Sequence, residues 1–143
     1  MSDAARRIIL SILFLGVAGI TVELLLLGHV EDFNQLIPLV LAGATLLLSL
    51  LVSLRPTAAT VRLFQGVMAL LVISGAVGMY LHFQVNMEFQ LEMDPALTGM
   101  SLFRKAILAK APPALAPGVM TQLGLIGLAY TFRHPALGPG RTS

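Results

Sequence analysis

The chain has 143 residues, 57% of them apolar and 11% charged, with a formal charge of +2. A soluble domain carries roughly 25% charged residues, so this composition argues against an ordinary soluble enzyme or a basic nucleic-acid binder and for a lipid-embedded bundle. The absence of cysteine removes disulfide scaffolds, thiol redox chemistry and thiolate metal sites.

A hydrocarbon layer about 30 Å thick needs roughly 20 apolar residues in helix. The first such segment runs from about Ile8 to Gly28 and is interrupted only by Glu23. Arg6 and Arg7 precede it, as in a signal peptide, but its apolar run exceeds the 7–15 residues of a signal-peptide core and no A-x-A cleavage site follows. The second runs from Leu36 to Leu54 without a charge, and Arg55-Pro56-Thr57 closes it as a turn. The third covers Leu63 to Leu81, with an expected extension to about residue 92. The fourth covers Ala111 to Phe132, with Pro112, Pro113 and Pro117 in its first turns. The expected fold is an all-α, four-helix transmembrane bundle forming one domain over residues 1–137. An outer helical segment lies between helices three and four, and residues 138–143 form a Gly/Pro-rich tail read as disordered.

Short-loop charges set the orientation. Arg6, Arg7, Arg55, Arg62, Arg133 and Arg141 lie at the ends assigned inside, while the first loop, HVEDFNQ, holds two acids and no Lys or Arg. Both termini are therefore expected in the cytoplasm of a bacterial-type plasma membrane. The long loop from His82 to Lys110 is then outside, although Arg104, Lys105 and Lys110 run against the rule.

Within that loop, HFQVNMEFQLEMD (82–94) alternates apolar and polar residues from Phe83 to Asp94. A half-buried strand has this pattern, but a lone strand leaves both edges unpaired. A helical reading needs no absent sheet. It gives two apolar stripes, Phe83/Met87/Leu91 and Val85/Phe89/Met93, separated by polar stripes that include Glu88 and Glu92. Asp94-Pro95 then carries the signature of a new helix start, expected over 95–110 as an interfacial helix with Arg104 snorkelling. Either geometry leaves Phe83, Val85, Phe89, Leu91, Met93 and Phe103 seeking contacts beyond a plain bundle. They are the candidate contacts for a protein partner or a second copy.

Glu23 is the one acid inside an apolar segment, about 24 Å of helical rise from the inner boundary. Such a group marks a proton or cation site, or is satisfied structurally by a neighbour or by snorkelling. Glu23, His29, His82, Glu88 and Glu92 are the candidate polar or proton-handling residues of the outer side. The chemistry of imidazole and carboxylate would suit a metal, but no H-x-x-H or H-x-x-x-H pair exists. No metal site, catalytic residue or cofactor is assigned, and no nucleotide-binding, zincin or serine-nucleophile motif occurs. Gln65 and Gln122 are expected to bond between helices, paired glycines to allow close helix approach, and His134 to favour the end of helix four.

The helix count and the Glu in helix one are similar to those of small multidrug-resistance transporters. That family has short loops and usually a Trp in helix three, whereas this chain has the long outer loop and no Trp. The expected function is an accessory or scaffolding subunit of a membrane complex, contacting its partner through 82–110. The alternative is a small proton- or cation-coupled carrier, working as an oligomer with Glu23 as its titrating group.

Overall fold

A computed structural model of the chain describes residues 1–28, 30–110 and 115–138. All regular structure among the described residues is helical: α1 (Asp3–Leu26), α2 (Phe33–Leu54), α3 (Ala58–Met93), α4 (Gly99–Ile107), α5 (Leu115–Thr131) and a final 3-10 turn, Pro135–Leu137. Three helices, α1, α2 and α3, are long and apolar enough to cross a membrane; α5 is a shorter apolar helix of 17 residues.

Local capping explains why several helices begin earlier than their apolar runs. The Ser2 hydroxyl accepts from Ala5 N (3.3 Å) and starts α1. Gln35 Oε1 accepts from Glu31 N (2.9 Å) and Asp32 N (3.4 Å), fixing the entry to α2. Thr57 and Thr60 exchange bonds, Thr57 N to Thr60 Oγ1 and Thr60 N to Thr57 Oγ1, which opens α3 directly after the Arg55-Pro56 turn. Of the α5 segment, residues 111–114 lie outside the described residues.

The stretch 82–93 is helical, because α3 continues unbroken to Met93. At 1.5 Å per residue its 36 residues span about 54 Å. Asp94 ends this helix and does not start the next. Its N–H donates to Gln90 O (3.0 Å), and its carboxylate accepts from Ala96 N (3.2 Å), so Asp94-Pro95 makes the turn. The outer helix is consequently shorter than 95–110. Thr98 stands at its N-cap, and Gly99 supplies the left-handed backbone (φ 54°) that redirects the chain. Helix α4 folds back on α3: the rings of Phe83 and Phe103 meet with centroids 5.7 Å apart, and Asn86 Nδ2 donates to Ala106 O (3.1 Å).

α1 packs on α2 and α5, and α3 packs on α2 and α5, closing a ring of four helices. Each contributes one buried stripe: Leu13, Val17, Ile20 and Leu24 from α1; Ala42, Thr45, Leu48 and Val52 from α2; Val61, Phe64, Met68 and Leu71 from α3; Met120, Leu123 and Tyr130 from α5. The outward faces remain apolar, with Leu15, Val40, Leu70, Ile73 and Leu125 among the exposed side chains. That arrangement suits hydrocarbon on the outside and would be an aggregation hazard in water.

Glycines set the distance between α3 and α5. A Cβ on Gly124 would stand 2.8 Å from Met68 O and 3.0 Å from Val72 N; one on Gly75 would stand 2.8 Å from Thr121 N. These are backbone-to-backbone approaches of the kind small residues permit in membrane bundles. Gly19, by contrast, faces open space. Gln65 bonds across this interface, Nε2 to Thr131 Oγ1 (3.1 Å), whereas Gln122 lies on the exposed side of α5.

Candidate functional site

The four-helix ring has two unlike ends. The N-terminus of α1, the α2–α3 turn and the C-terminus of α5 meet at one end, as the Arg6–Tyr130 and Gln65–Thr131 bonds show. Arg6, Arg7, Arg55, Arg62 and Arg133 belong to these segments. The opposite end carries the α1–α2 loop, the extension of α3 and α4, with Glu31, Asp32, Glu88, Glu92 and Asp94.

At the second end, the described candidate polar residues lie on α1 and on the extension of α3. Glu23 occupies the last turn of α1 on an exposed face, with Val22 and Leu26. His82, Glu88 and Glu92 are on exposed positions of α3, and His29 lies outside the described residues. Among the described residues, no three His, Asp or Glu side chains converge as a metal site would require. The only ion pair among them joins Lys105 to Asp94 at 3.9 Å, tying α4 to the end of α3.

The apolar candidates divide into two groups. Phe83, Met87 and Leu91 are half-buried, with Phe83 against Phe103 of α4. Phe103 itself stays partly exposed. Val85, Phe89 and Met93, on the other face, are 62%, 56% and 72% exposed. One stripe of the extension is thus covered by its own chain and the other is open. The open face also presents Glu88 and Glu92. Between Arg62 and Arg104 there is no Lys or Arg. A shallow groove of about 550 Å³ lies on the α4 side, lined by Gln90, Ser101, Arg104, Lys105, Leu108 and Ala109.

At the basic end, Arg6 is the principal feature that charge counting misses. It is 6% exposed, and its guanidinium donates to Tyr130 O (2.7 Å), Phe132 O (3.3 Å) and Arg133 O (2.8 Å). These carbonyls terminate α5, where the last four acceptors of any helix lack intrahelical donors and the helix dipole favours a cation. Arg6, rather than His134, therefore fills the cationic position at this terminus. A signal was available: Arg6 lies seven residues before Leu13 and so falls on the buried stripe of α1, whereas Arg7 is exposed.

His134 is 7% exposed and caps the final turn, its Nδ1 accepting from Ala136 N (3.2 Å). Burial, reinforced by the Arg6 charge, lowers its pKa from the usual histidine value; Asp3 opposes this. The imidazole is held neutral with its proton on Nε2, because Nδ1 is the acceptor. A groove of about 650 Å³ opens beside it, lined by polar Gln65, Thr131, Arg133 and His134 and by apolar Leu128, Phe132 and Leu137 among others.

No family model, curated protein or solved structure matches this chain.

Proposed function

We propose that the protein is a four-span membrane subunit whose outer α3–α4 unit docks another protein. In this reading α1, α2, the first two-thirds of α3 and α5 cross the bilayer. The 17 residues of α5 are the low end of the roughly 17–25 that suffice. Placing the arginine-rich end in the cytoplasm obeys the positive-inside rule and puts both termini inside, in a plasma membrane of bacterial type.

The open stripe Val85/Phe89/Met93 carries the docking reading. Val85 lies about 40 Å along α3 from Ala58, and Met93 about 52 Å. A bilayer with its headgroups is about 40–45 Å thick. Val85 then stands at headgroup level and Met93 beyond it, and a tilt of about 20° shortens these distances only slightly. Covering what remains exposed of the three side chains is worth on the order of 3–6 kcal/mol. The bordering Glu88 and Glu92, with no Lys or Arg on the extension of α3 itself, favour a partner that brings Lys or Arg beside apolar anchors.

The test is purification from native membranes in mild detergent. The wild-type chain is expected in a complex, and Phe89→Glu with Met93→Glu is expected to release it with the bundle intact. A monomeric wild type, or a complex indifferent to both substitutions, contradicts the reading. The second reading, an oligomeric proton-coupled carrier, is favoured by the position of Glu23 on an exposed face with Val22 and Leu26. It requires Glu23→Gln to change flux and its pH dependence, and it fails if neither changes.

A further inference from the structure

The groove at the basic end is built unlike the one beside α4. In the outer groove, Lys105 is neutralised in part by Asp94 at 3.9 Å. The inner groove has no carboxylate side chain among its described lining residues. Its polar side offers the Arg133 guanidinium, the His134 imidazole with its proton on Nε2, and the Gln65 amide, which spends one N–H on Thr131. Behind this wall stands the buried guanidinium of Arg6. Its Nε–H has no partner, and no ion pair neutralises it among the described residues. Asp3 is the one acid that acts on His134 from α1.

The other side of the groove is apolar, through Leu128, Phe132, Pro135 and Leu137. Phe132 holds the Arg133 guanidinium over its ring, 5.4 Å from the centroid, which keeps that charge beside the apolar wall. Arg133 takes up a left-handed backbone (φ 49°), an uncommon conformation for a non-glycine residue, and this turns the chain at the mouth of the groove. Donors with no carboxylate among the described lining residues, next to an apolar wall at the end of a membrane bundle, match an amphiphile with an anionic head.

We infer that this groove binds the net-anionic headgroup of a phospholipid, with Arg133 as its main contact and the acyl chain along Leu128 and Phe132. This rests on the bundle crossing a bilayer but not on any docking partner. The purified full-length protein is to be exposed to equal amounts of phosphatidylglycerol and phosphatidylcholine, and retained lipid read by native mass spectrometry. Phosphatidylglycerol should be retained roughly tenfold over phosphatidylcholine. Arg133→Gln should bring the ratio near one, Arg133→Lys should restore most of it, and Arg104→Gln in the outer groove should leave it unchanged. Leu137→Glu, which puts a carboxylate in the lining by an independent route, should also abolish the preference. Equal retention of the two lipids overturns the inference, as does a preference that survives Arg133→Gln. Inorganic phosphate displacing the bound phosphatidylglycerol at an equal concentration overturns the lipid assignment, since the apolar wall would then contribute nothing.

Discussion

Gly124→Ala should destabilise the bundle, and the cost can be worked from the α3–α5 approach. The added methyl would stand 2.8 Å from Met68 O and 3.0 Å from Val72 N, both backbone atoms, besides 2.7 Å from Val72 Cγ2. A side chain can rotate away, but the backbone atoms move only if the helices separate. Overpacking of this kind costs about 1–3 kcal/mol, against a helix-propensity gain of up to about 1 kcal/mol for replacing glycine. A net loss of up to about 2 kcal/mol follows. Gly66→Ala is the matched control, because a methyl there would have nothing within 4 Å; it should gain about 0.5–1 kcal/mol. The two variants should shift the thermal midpoint of the purified protein in opposite directions, separated by about 5–10 °C on the scaling for a domain of this size. Equal midpoints for the two would refute the close packing of α3 on α5.

Arg6→Gln should destabilise by about 2–4 kcal/mol, since charge-assisted bonds to three terminal carbonyls are lost; Arg7→Gln, at an exposed position, should lie within about 0.5 kcal/mol of wild type in the same melt. His134 introduces a pH dependence. Its folded pKa lies below the unfolded value of about 6.5, so the unfolded chain binds the extra proton first. Its contribution is complete above pH ~6.5 and is lost as pH falls toward the folded pKa. Melts at a series of pH values should show this loss, and His134→Asn, which keeps an acceptor for Ala136 N, should flatten it.

The long apolar helices α1, α2 and α3 were legible because their apolar runs are long and bounded by charge or proline, a signal that needs no tertiary information. The stretch 83–94 was harder, because residues alternating with period two also form stripes on a helix. Neighbours absent from the local pattern decide it: Phe103 receives Phe83, and Ala106 O receives Asn86. The same interaction divides the apolar candidates, covering Phe83 and leaving Val85, Phe89 and Met93 open. Asp94-Pro95 suits a turn as well as a helix start, and the reversal of the chain onto α3 selects the turn. Arg6 reads locally as one of a pair of topogenic charges. Only its place on the stripe of Leu13 and Val17 distinguishes it from Arg7, and only the fold brings the end of α5 to it.

The central claim is that the extension of α3 leaves the membrane and is covered there by protein. A photo-crosslinking side chain at position 89, with a second version at position 70 on the exposed mid-span face, tests it in native membranes. Position 89 should give a discrete protein adduct, its mass distinguishing a second copy from another chain, while position 70 should capture lipid. Lipid capture alone at both positions would contradict the account.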